Sequence, residues 1–353
     1  FDQALVDLHQ AGEIPDTIRF LRFPPTVLIG RHQALSQELK LDYCAANNIR
    51  TVRRITGGGP LYFDEGQLGW ELERTLAPLG MLRAVDYPDV NLDQPDTLPG
   101  LVKECSPDII VNAAAYTAVD QAESEPEIAQ QVNGIAPGLL AELALELGAA
   151  LIHYSTDYVF SGNTARAYVE DDDPSPISEY GRSKLAGEQA IAAVDGAHLI
   201  LRTSWVYSLR RPSFVTKVLE WARRNPELKI VSDQVSNPTW ARMLAEITAL
   251  LLARSGQHPV GWITEHKGVY HLAGDGFASR LEWAKVILNL DPNAHEQVTR
   301  QVLPAKTADF PTPAQRPLFS ALDCTLFTDT FELELPAWEN CLRLAMQYES
   351  KPI

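Results

Sequence analysis

From Gly66 onward the chain alternates short apolar, β-prone runs with segments of helical spacing, and this alternation restricts the fold more than any other feature. The pattern predicts a helix over Leu68 to Leu76, a strand over Leu82 to Val85, a further helix, and a strong strand over Asp108 to Asn112. A helix through Val132 to Leu147 follows, then the strand ALIHYST ending at Thr156, the helix ISEYGRSKLAGEQAIAAV, the strand HLILRTSWVY, the helix FVTKVLEWARR and the strand LKIVSDQ. Helices over Ala241 to Arg254 and Leu281 to Leu290 complete the series. Strands that are apolar throughout need cover on both faces, and the intervening helices supply it. The expected class is therefore α/β, a doubly wound parallel sheet with a smaller lobe drawn mainly from residues 205–240 and 260–330.

One stretch of this pattern carries chemistry. The strand ending in Ser155 and Thr156 turns polar where a strand meets a site, and Tyr180 and Lys184 lie four apart on one face of the next helix. A phenol ionises near pH 10 and acts as an acid near neutrality only with help from a nearby cation, which Lys184 can give. The Thr156 hydroxyl can hold the same carbonyl oxygen, the arrangement needed to add hydride to a ketone. A Tyr and a Lys four apart also occur on any solvated helix, and it is Thr156 on the preceding strand that makes catalysis the favoured reading.

The 353 residues carry a net charge of −16. That balance argues against a nucleic-acid footprint or an anionic membrane surface, though not against a small anionic substrate. Cys44, Cys105, Cys324 and Cys341 are scattered without metal-ligand spacing, so neither a zinc site nor a disulfide framework is expected and a reducing cytoplasm fits best. No apolar run has the length of a membrane span, and FDQALVDLHQ carries no signal-peptide pattern.

Residues 1–65 differ in character, with β-like TIRFLRF and TVLIG, a helix around LKLDYCAANN, and TVRRI running into TGGGP. Gly57, Gly58 and Gly59 beside Arg53 and Arg54 can bring amides and guanidinium groups to a phosphate or carboxylate, or form a plain turn. Gly30 to Gln33 (GRHQ) and RRITGGGPLYFDEGQL together resemble the amino-terminal part of the lipoate-protein ligase and octanoyltransferase family. The resemblance implies a truncated α+β segment in which Arg53, Arg54 and Gly57 to Gly59 line an acyl pocket. It ends near Leu72 without the later lysine-bearing segment, and Pro60 replaces a small residue, so ligase activity is not expected.

GQLGWEL, NAAAYTAVDQAE, VNGIAPGLLAELA, YSTDYVFSG, YGRSKLAGE, LRTSWVY, DQVSNP and FPTPAQRPLFSALD follow in order over about four-fifths of the chain. They resemble the dTDP-4-dehydrorhamnose reductase family of extended short-chain dehydrogenase/reductases. The resemblance implies a Rossmann-like core, NADPH or NADH as cofactor, a nucleotide-sugar substrate and reduction of its C4 keto group. Tyr180 is then the proton donor, Lys184 the residue that lowers its pKa and binds nicotinamide ribose, and Thr156 the carbonyl-orienting hydroxyl. Gly66, Gln67, Leu68 and Gly69 with Asp86, Ala113, Ala114 and Ala115 would bind the cofactor. Tyr116, Trp205 and Arg316 would meet the sugar nucleotide, and Asn133 would sit behind the site. Some members hold magnesium at a carboxylate cluster in a homodimer interface. Glu71 and Glu339 match two of its positions but the third is Arg242, so no metal is expected, and a homodimer stays open.

The family's opening glycine loop is altered: Gly66 and Gly69 match its last two glycines, but the first falls at Phe63, where close backbone approach disfavours a bulky side chain. The strand before it is replaced by ligase-like text, with PLYF (Pro60 to Phe63) as a stand-in too short to replace it fully. DEGQLGWEL continues either family, as a fusion joint would. Asp86, placed for an adenosine ribose, favours NADH, and Tyr87 stands where a 2′-phosphate partner would be. Two rival readings follow: a catalytically impaired nucleotide-sugar-binding homologue of the reductase, and a lipoyl or octanoyl ligase.

Overall fold

The computed structural model describes residues 26–29, 50–53, 60–63, 66–86 and 90–348. Arg54, Gly57 to Gly59, Tyr87, Cys44 and the GRHQ motif lie outside them. The chain forms two compact units, residues 1–57 and 58–353. In the first, the strands Thr26–Ile29 and Arg50–Arg53 pair in parallel.

The second unit is built on a six-stranded parallel sheet in the order Gly268–His271, Ala197–Thr203, Ala150–Thr156, Ile109–Asn112, Pro60–Phe63, Arg83–Val85. Three of these strands, Ile109–Asn112, Ala150–Thr156 and Ala197–Thr203, are buried at every position. Side chains alternate between the two faces of a strand. Ile109, Val111, Ile152, Tyr154, Leu199 and Leu201 accordingly enter one core with Leu72 and Leu76 of the helix Gln67–Leu76 and Leu244 of the helix Ala241–Arg254. Ile110, Leu151 and Ile200 enter a second core with Leu98, Val102 and Leu140. Helices thus cover both faces, which is the doubly wound arrangement the alternation predicts.

Pro60–Phe63 corrects one expectation. It is four residues long, yet it pairs on both sides, from Pro60↔Ile109 to Phe63↔Asn112 and from Leu61↔Arg83 to Phe63↔Val85. It is a full interior strand. Proline is tolerated there because it is the strand's first residue, where little of the ladder depends on its missing N–H. Two open strand edges offer a run of this length a complete set of partners, which its own sequence does not reveal.

The smaller lobe is assembled from paired short strands. Glu227–Val231 pairs with Gln301–Ala305, Val235–Ser236 with Ala278–Ser279, and Val206–Tyr207 with Thr239–Trp240. The predicted single strand HLILRTSWVY is therefore broken: it leaves the main sheet at Thr203, and Trp205 takes a left-handed φ of 42° before the chain pairs again at Val206. That turn, which costs a non-glycine residue on the order of 1–3 kcal/mol, carries the chain from the sheet into the lobe.

Candidate active site

The sheet order reverses direction between Pro60–Phe63 and Ile109–Asn112: the chain runs outward to Arg83–Val85 on one side and toward Gly268–His271 on the other. In open α/β sheets the ligand crevice lies at the carboxyl ends of the strands beside such a reversal. A cleft of about 430 Å³ is found there, lined by Gly66, Gln67 and Leu68 at the start of the helix Gln67–Leu76, by Ala113 and Ala115 after Ile109–Asn112, and by Tyr180 and Lys184. Thr203, Arg211 and Pro212 close its other side.

The residues present fit a dinucleotide. The helix entering at Gly66 has no side-chain cap and no acidic residue in its first turn, so its positive end suits an anion. Ala113 and Ala115 leave room along the strand ends. In the cleft wall, the buried Gln67 Oε1 and Thr203 Oγ1 have no hydrogen-bond partner among the described residues, a costly state unless a ligand or water supplies one. Gly69 is buried inside the helix, and Asp86 follows the strand Arg83–Val85 half-buried. Ala114, between Ala113 and Ala115, packs against the second core and does not line the cleft, and its N–H donates to Asn112 Oδ1 at 3.2 Å.

Thr156 is the last residue of Ala150–Thr156, and Tyr180 lies one residue into the helix Glu179–Ala193, which Ser178 caps by accepting the Gly181 N–H at 3.1 Å. The Thr156 hydroxyl accepts the Tyr158 N–H at 3.2 Å, donates to Asp157 Oδ1 at 3.2 Å and is hydrogen-bonded to the Tyr180 phenol. Burial pushes the Tyr180 phenol well above its ordinary range, the Thr156 bond opposes this, and the charges of Asp157 and Tyr158 reinforce it. Lys184 is buried, and desolvation pushes its ammonium down to about 8 against the opposing charge of Glu188. Its Nζ meets Tyr154 O at 2.7 Å and His153 Nε2 at 3.1 Å. The expected direct depression of the phenol by Lys184 is thus not the arrangement of the free protein: both groups face one cleft, but the ammonium's hydrogen bonds run to the strand behind it.

The glycines of YGRSKLAGE have a packing reason. A Cβ on Gly187 would lie 2.1 Å from Asn133 O, and one on Gly181 would lie 2.3 Å from Tyr158 O. Asn133, in a wide π-turn over Gln131–Ile135, accepts the Tyr116 N–H at 2.9 Å and donates to Tyr116 O at 3.1 Å and Ser183 Oγ at 3.0 Å. It ties the helix Glu179–Ala193 to the loop after Ile109–Asn112. Gly187→Ala is expected to destabilise the protein by about 1–3 kcal/mol through overpacking, read as a lowered urea midpoint, and to weaken cofactor binding because the helix carrying Lys184 must shift.

The remaining predicted residues are placed differently from one another. The Tyr116 hydroxyl donates to Glu125 Oε2 at 2.6 Å, and burial together with that carboxylate pushes the phenol up to about 12. Trp205 is half-buried, stacked on Trp283 at 5.5 Å with the Arg280 guanidinium 3.6 Å over its ring. Arg316 forms a two-pronged pair with Asp120 at 2.9 and 2.7 Å and lines a lobe cleft of about 760 Å³ together with Phe214, Trp221, Arg280 and Phe310. Of the positions compared with a metal cluster, Glu71 is buried beside Arg74, Arg242 pairs with Glu246 at 2.9 Å, and Glu339 is exposed. Among the described residues no group of metal-ligating side chains converges.

Three residues escaped the sequence reading. Asp157 is buried, accepts from Ser236 Oγ at 3.0 Å and Ser320 Oγ at 2.5 Å, and is pushed up to about 6 by burial. It joins the lobe loops to Thr156. Arg280 lines the lobe cleft, faces Asp157 and Tyr158 electrostatically, and is pushed down to about 10 by desolvation. His153 lies behind Lys184. The only local hint was the run STDYVF, whose polar residues sit too densely at a strand end for a plain core.

Comparison with known proteins gives two family matches. The RmlD substrate binding domain matches residues 61–350, and the lipoyl protein ligase A/B catalytic domain matches residues 1–78. They overlap at residues 61–78, the stretch that continues either motif set. A dTDP-4-dehydrorhamnose reductase of Burkholderia thailandensis is 40% identical over 286 residues, covering 80% of this chain and 95% of that protein. Similar solved structures include two reductases. The first is a dTDP-4-dehydrorhamnose reductase from Clostridium acetobutylicum (TM-score 0.76, 29% identity, 83% of this chain and 100% of that one). The second is a dTDP-4-dehydrorhamnose reductase from Bacillus anthracis in complex with NADP (TM-score 0.74, 30% identity, 82% and 99%).

Proposed function

This chain belongs to the dTDP-4-dehydrorhamnose reductase family, and from that premise we propose that it reduces the C4 keto group of dTDP-4-dehydro-L-rhamnose to give dTDP-L-rhamnose. The observation that supports the reading is that Tyr180 and Lys184 line the cleft beside the sheet's reversal point, with the Thr156 hydroxyl hydrogen-bonded to the Tyr180 phenol. The cofactor, NADPH or NADH, supplies the hydride. Tyr180 and Thr156 hold the carbonyl oxygen from two sides, so the developing alkoxide stays within reach of the phenol. Tyr180 gives its proton to that oxygen, and the positive charge of Lys184 stabilises the phenolate left behind. Burial, which raises the phenol's pKa in the free protein, keeps the proton on Tyr180 until the alkoxide forms.

Gly66, Gln67, Leu68 and Gly69 with Ala113, Ala114 and Ala115 are our candidates for cofactor contacts. Asp86 is assigned to the adenosine ribose, which favours NADH. Tyr116, Trp205 and Arg316 are assigned to the nucleotide sugar, with Arg280 as a second cation for its pyrophosphate. We divide the chain into a ligase-like segment through residue 65 and a reductase part from 66, with Pro60–Phe63 lent to the reductase sheet. A cytoplasmic homodimer completes the proposal. Among the described residues no helix is long and apolar enough to cross a membrane.

The test is the keto-sugar-dependent loss of reduced-nicotinamide absorbance, run with each cofactor. Oxidation is expected with at least one, faster with NADH. Cofactor binding without oxidation would leave the nucleotide-sugar-binding reading instead. No acylation of a lipoyl domain is expected with ATP and lipoate.

A further inference from the structure

Behind Lys184 lies a hydrogen-bonded chain of four groups, three of them buried, that keeps all its bonds in one arrangement with Lys184 neutral but cannot keep them in that arrangement with Lys184 charged. Asn112, His153 and Lys184 are each at most 2% exposed. The Ala114 N–H donates to Asn112 Oδ1 at 3.2 Å, Asn112 Nδ2 faces His153 Nδ1 at 3.1 Å, and His153 Nε2 faces Lys184 Nζ at 3.1 Å. Lys184 Nζ also donates to Tyr154 O at 2.7 Å.

The donor inventory fixes what each state must look like. While Ala114 holds the Asn112 oxygen, the amide NH2 must donate to Nδ1. A neutral imidazole then carries its proton on Nε2 and gives it to Lys184, which accepts only as a neutral amine. A charged Lys184 has three donors and no acceptor, so Nε2 must accept and Nδ1 must carry the proton. The Asn112 amide then has to turn over and present its oxygen to Nδ1, and the Ala114 N–H loses its side-chain acceptor. The second state holds one proton more than the first: a proton gained at Nδ1 is matched by passage of the Nε2 proton to Nζ. The same heavy-atom positions serve both.

We propose that Asn112 and His153 are positioning residues that set the charge of Lys184 by imidazole tautomer and amide orientation, and that this couples Lys184 to the Ala114 amide of the cofactor-lining turn. An acceptor arriving beside Ala114 favours the charged lysine, and a charged lysine frees that amide; the linkage is reciprocal. The inference rests on the reading of Lys184 as the group that charges the site.

Other groups around the chain do not remove the conflict. From its own helix Lys184 faces Tyr180 and Glu188. Glu188 is already paired with Arg202 of the strand Ala197–Thr203 at 2.7 Å, and the Tyr154 hydroxyl is bonded to Thr248. Burial together with the lysine charge holds His153 well below its ordinary range, so the ring stays neutral and only its tautomer changes. Desolvation places the Lys184 exchange near pH 8.

The test is nitrogen NMR of the His153 ring in the free protein, titrated from the ordinary histidine to the ordinary lysine range, about pH 6.5 to 10.4. The ring is expected to carry its proton on Nδ1 at the acid end and on Nε2 at the alkaline end, with the crossover near pH 8. In Asn112→Asp, the carboxylate accepts from both Ala114 N–H and Nδ1–H, so the Nδ1 tautomer and the charged lysine persist. Its alkaline limb in NADH binding is expected to move up by about one pH unit or more. His153→Gln, whose amide oxygen accepts from the ammonium, shifts that limb the same way. A single His153 tautomer across the range, or an unmoved limb in both variants, overturns the proposal. Switching without turnover of the keto sugar would sink the reductase reading alone, and turnover with a fixed tautomer would sink the switch alone.

Discussion

Tyr180→Phe lowers turnover of the keto sugar by about 10²–10⁴-fold, the range for losing a positioned proton donor, while binding of cofactor and nucleotide sugar stays near that of the unaltered protein. The phenol supplies one proton and little contact surface. Its ring packs edge-on to Tyr158 at 5.6 Å, and phenylalanine keeps that packing. The loss therefore belongs in kcat, with dissociation constants from fluorescence titration within a few-fold. Thr156 loses its partner on that side but keeps the Tyr158 N–H and Asp157. Turnover by Tyr180→Phe equal to that of the unaltered enzyme would assign the proton to another group and end the mechanism as written.

Glu188→Ala destabilises the fold by about 3–5 kcal/mol, because removing one partner of a buried pair leaves the other charge uncompensated. Arg202 and Glu188 are each 4% exposed and joined at 3.0, 3.2 and 2.7 Å, and Ser155 Oγ donates to the same carboxylate at 2.5 Å. Arg202 Nη1 has no hydrogen-bond partner among the described residues, so little remains to compensate the guanidinium once the carboxylate is gone. The double change Glu188→Leu with Arg202→Met is expected to recover most of the loss, since apolar replacement of a whole buried pair is often neutral. Urea unfolding of the single and double variants checks this. Equal midpoints for Glu188→Ala and the unaltered protein would mean that the pair is solvated. Glu188→Ala also removes the charge that supports protonation of Lys184, so the lysine pKa is expected to fall further.

Tyr180, Lys184 and Thr156 could be picked out as candidates because each stands in a local pattern. Tyr180 and Lys184 are one helical turn apart, and Thr156 closes a strand whose apolar run is continuous. The roles of their neighbours were not readable. Asp157 looked like one more polar residue after a strand, and its partners Ser236 and Ser320 lie 79 and 163 positions away. Trp205, read as a sugar-packing residue, stacks on Trp283 with Arg280 over its ring, residues whose approach depends on how the lobe folds back. Tyr116 was placed near the nicotinamide and sugar by resemblance, and its hydroxyl is engaged by Glu125, nine positions on, across a turn whose path no periodicity predicts.

By itself the sequence determined the alternating strands and helices and both family resemblances, and it singled out Tyr180, Lys184 and Thr156 as candidates, because periodicity and motif spacing are properties of neighbouring residues. Only the tertiary structure decided that PLYF is a full interior strand and that an asparagine and a histidine stand between the Ala114 amide and the Lys184 ammonium. The first depends on two strand edges meeting a run too short to announce itself. The second depends on counting donors and acceptors that burial forces to pair, and burial is settled only when distant segments pack together.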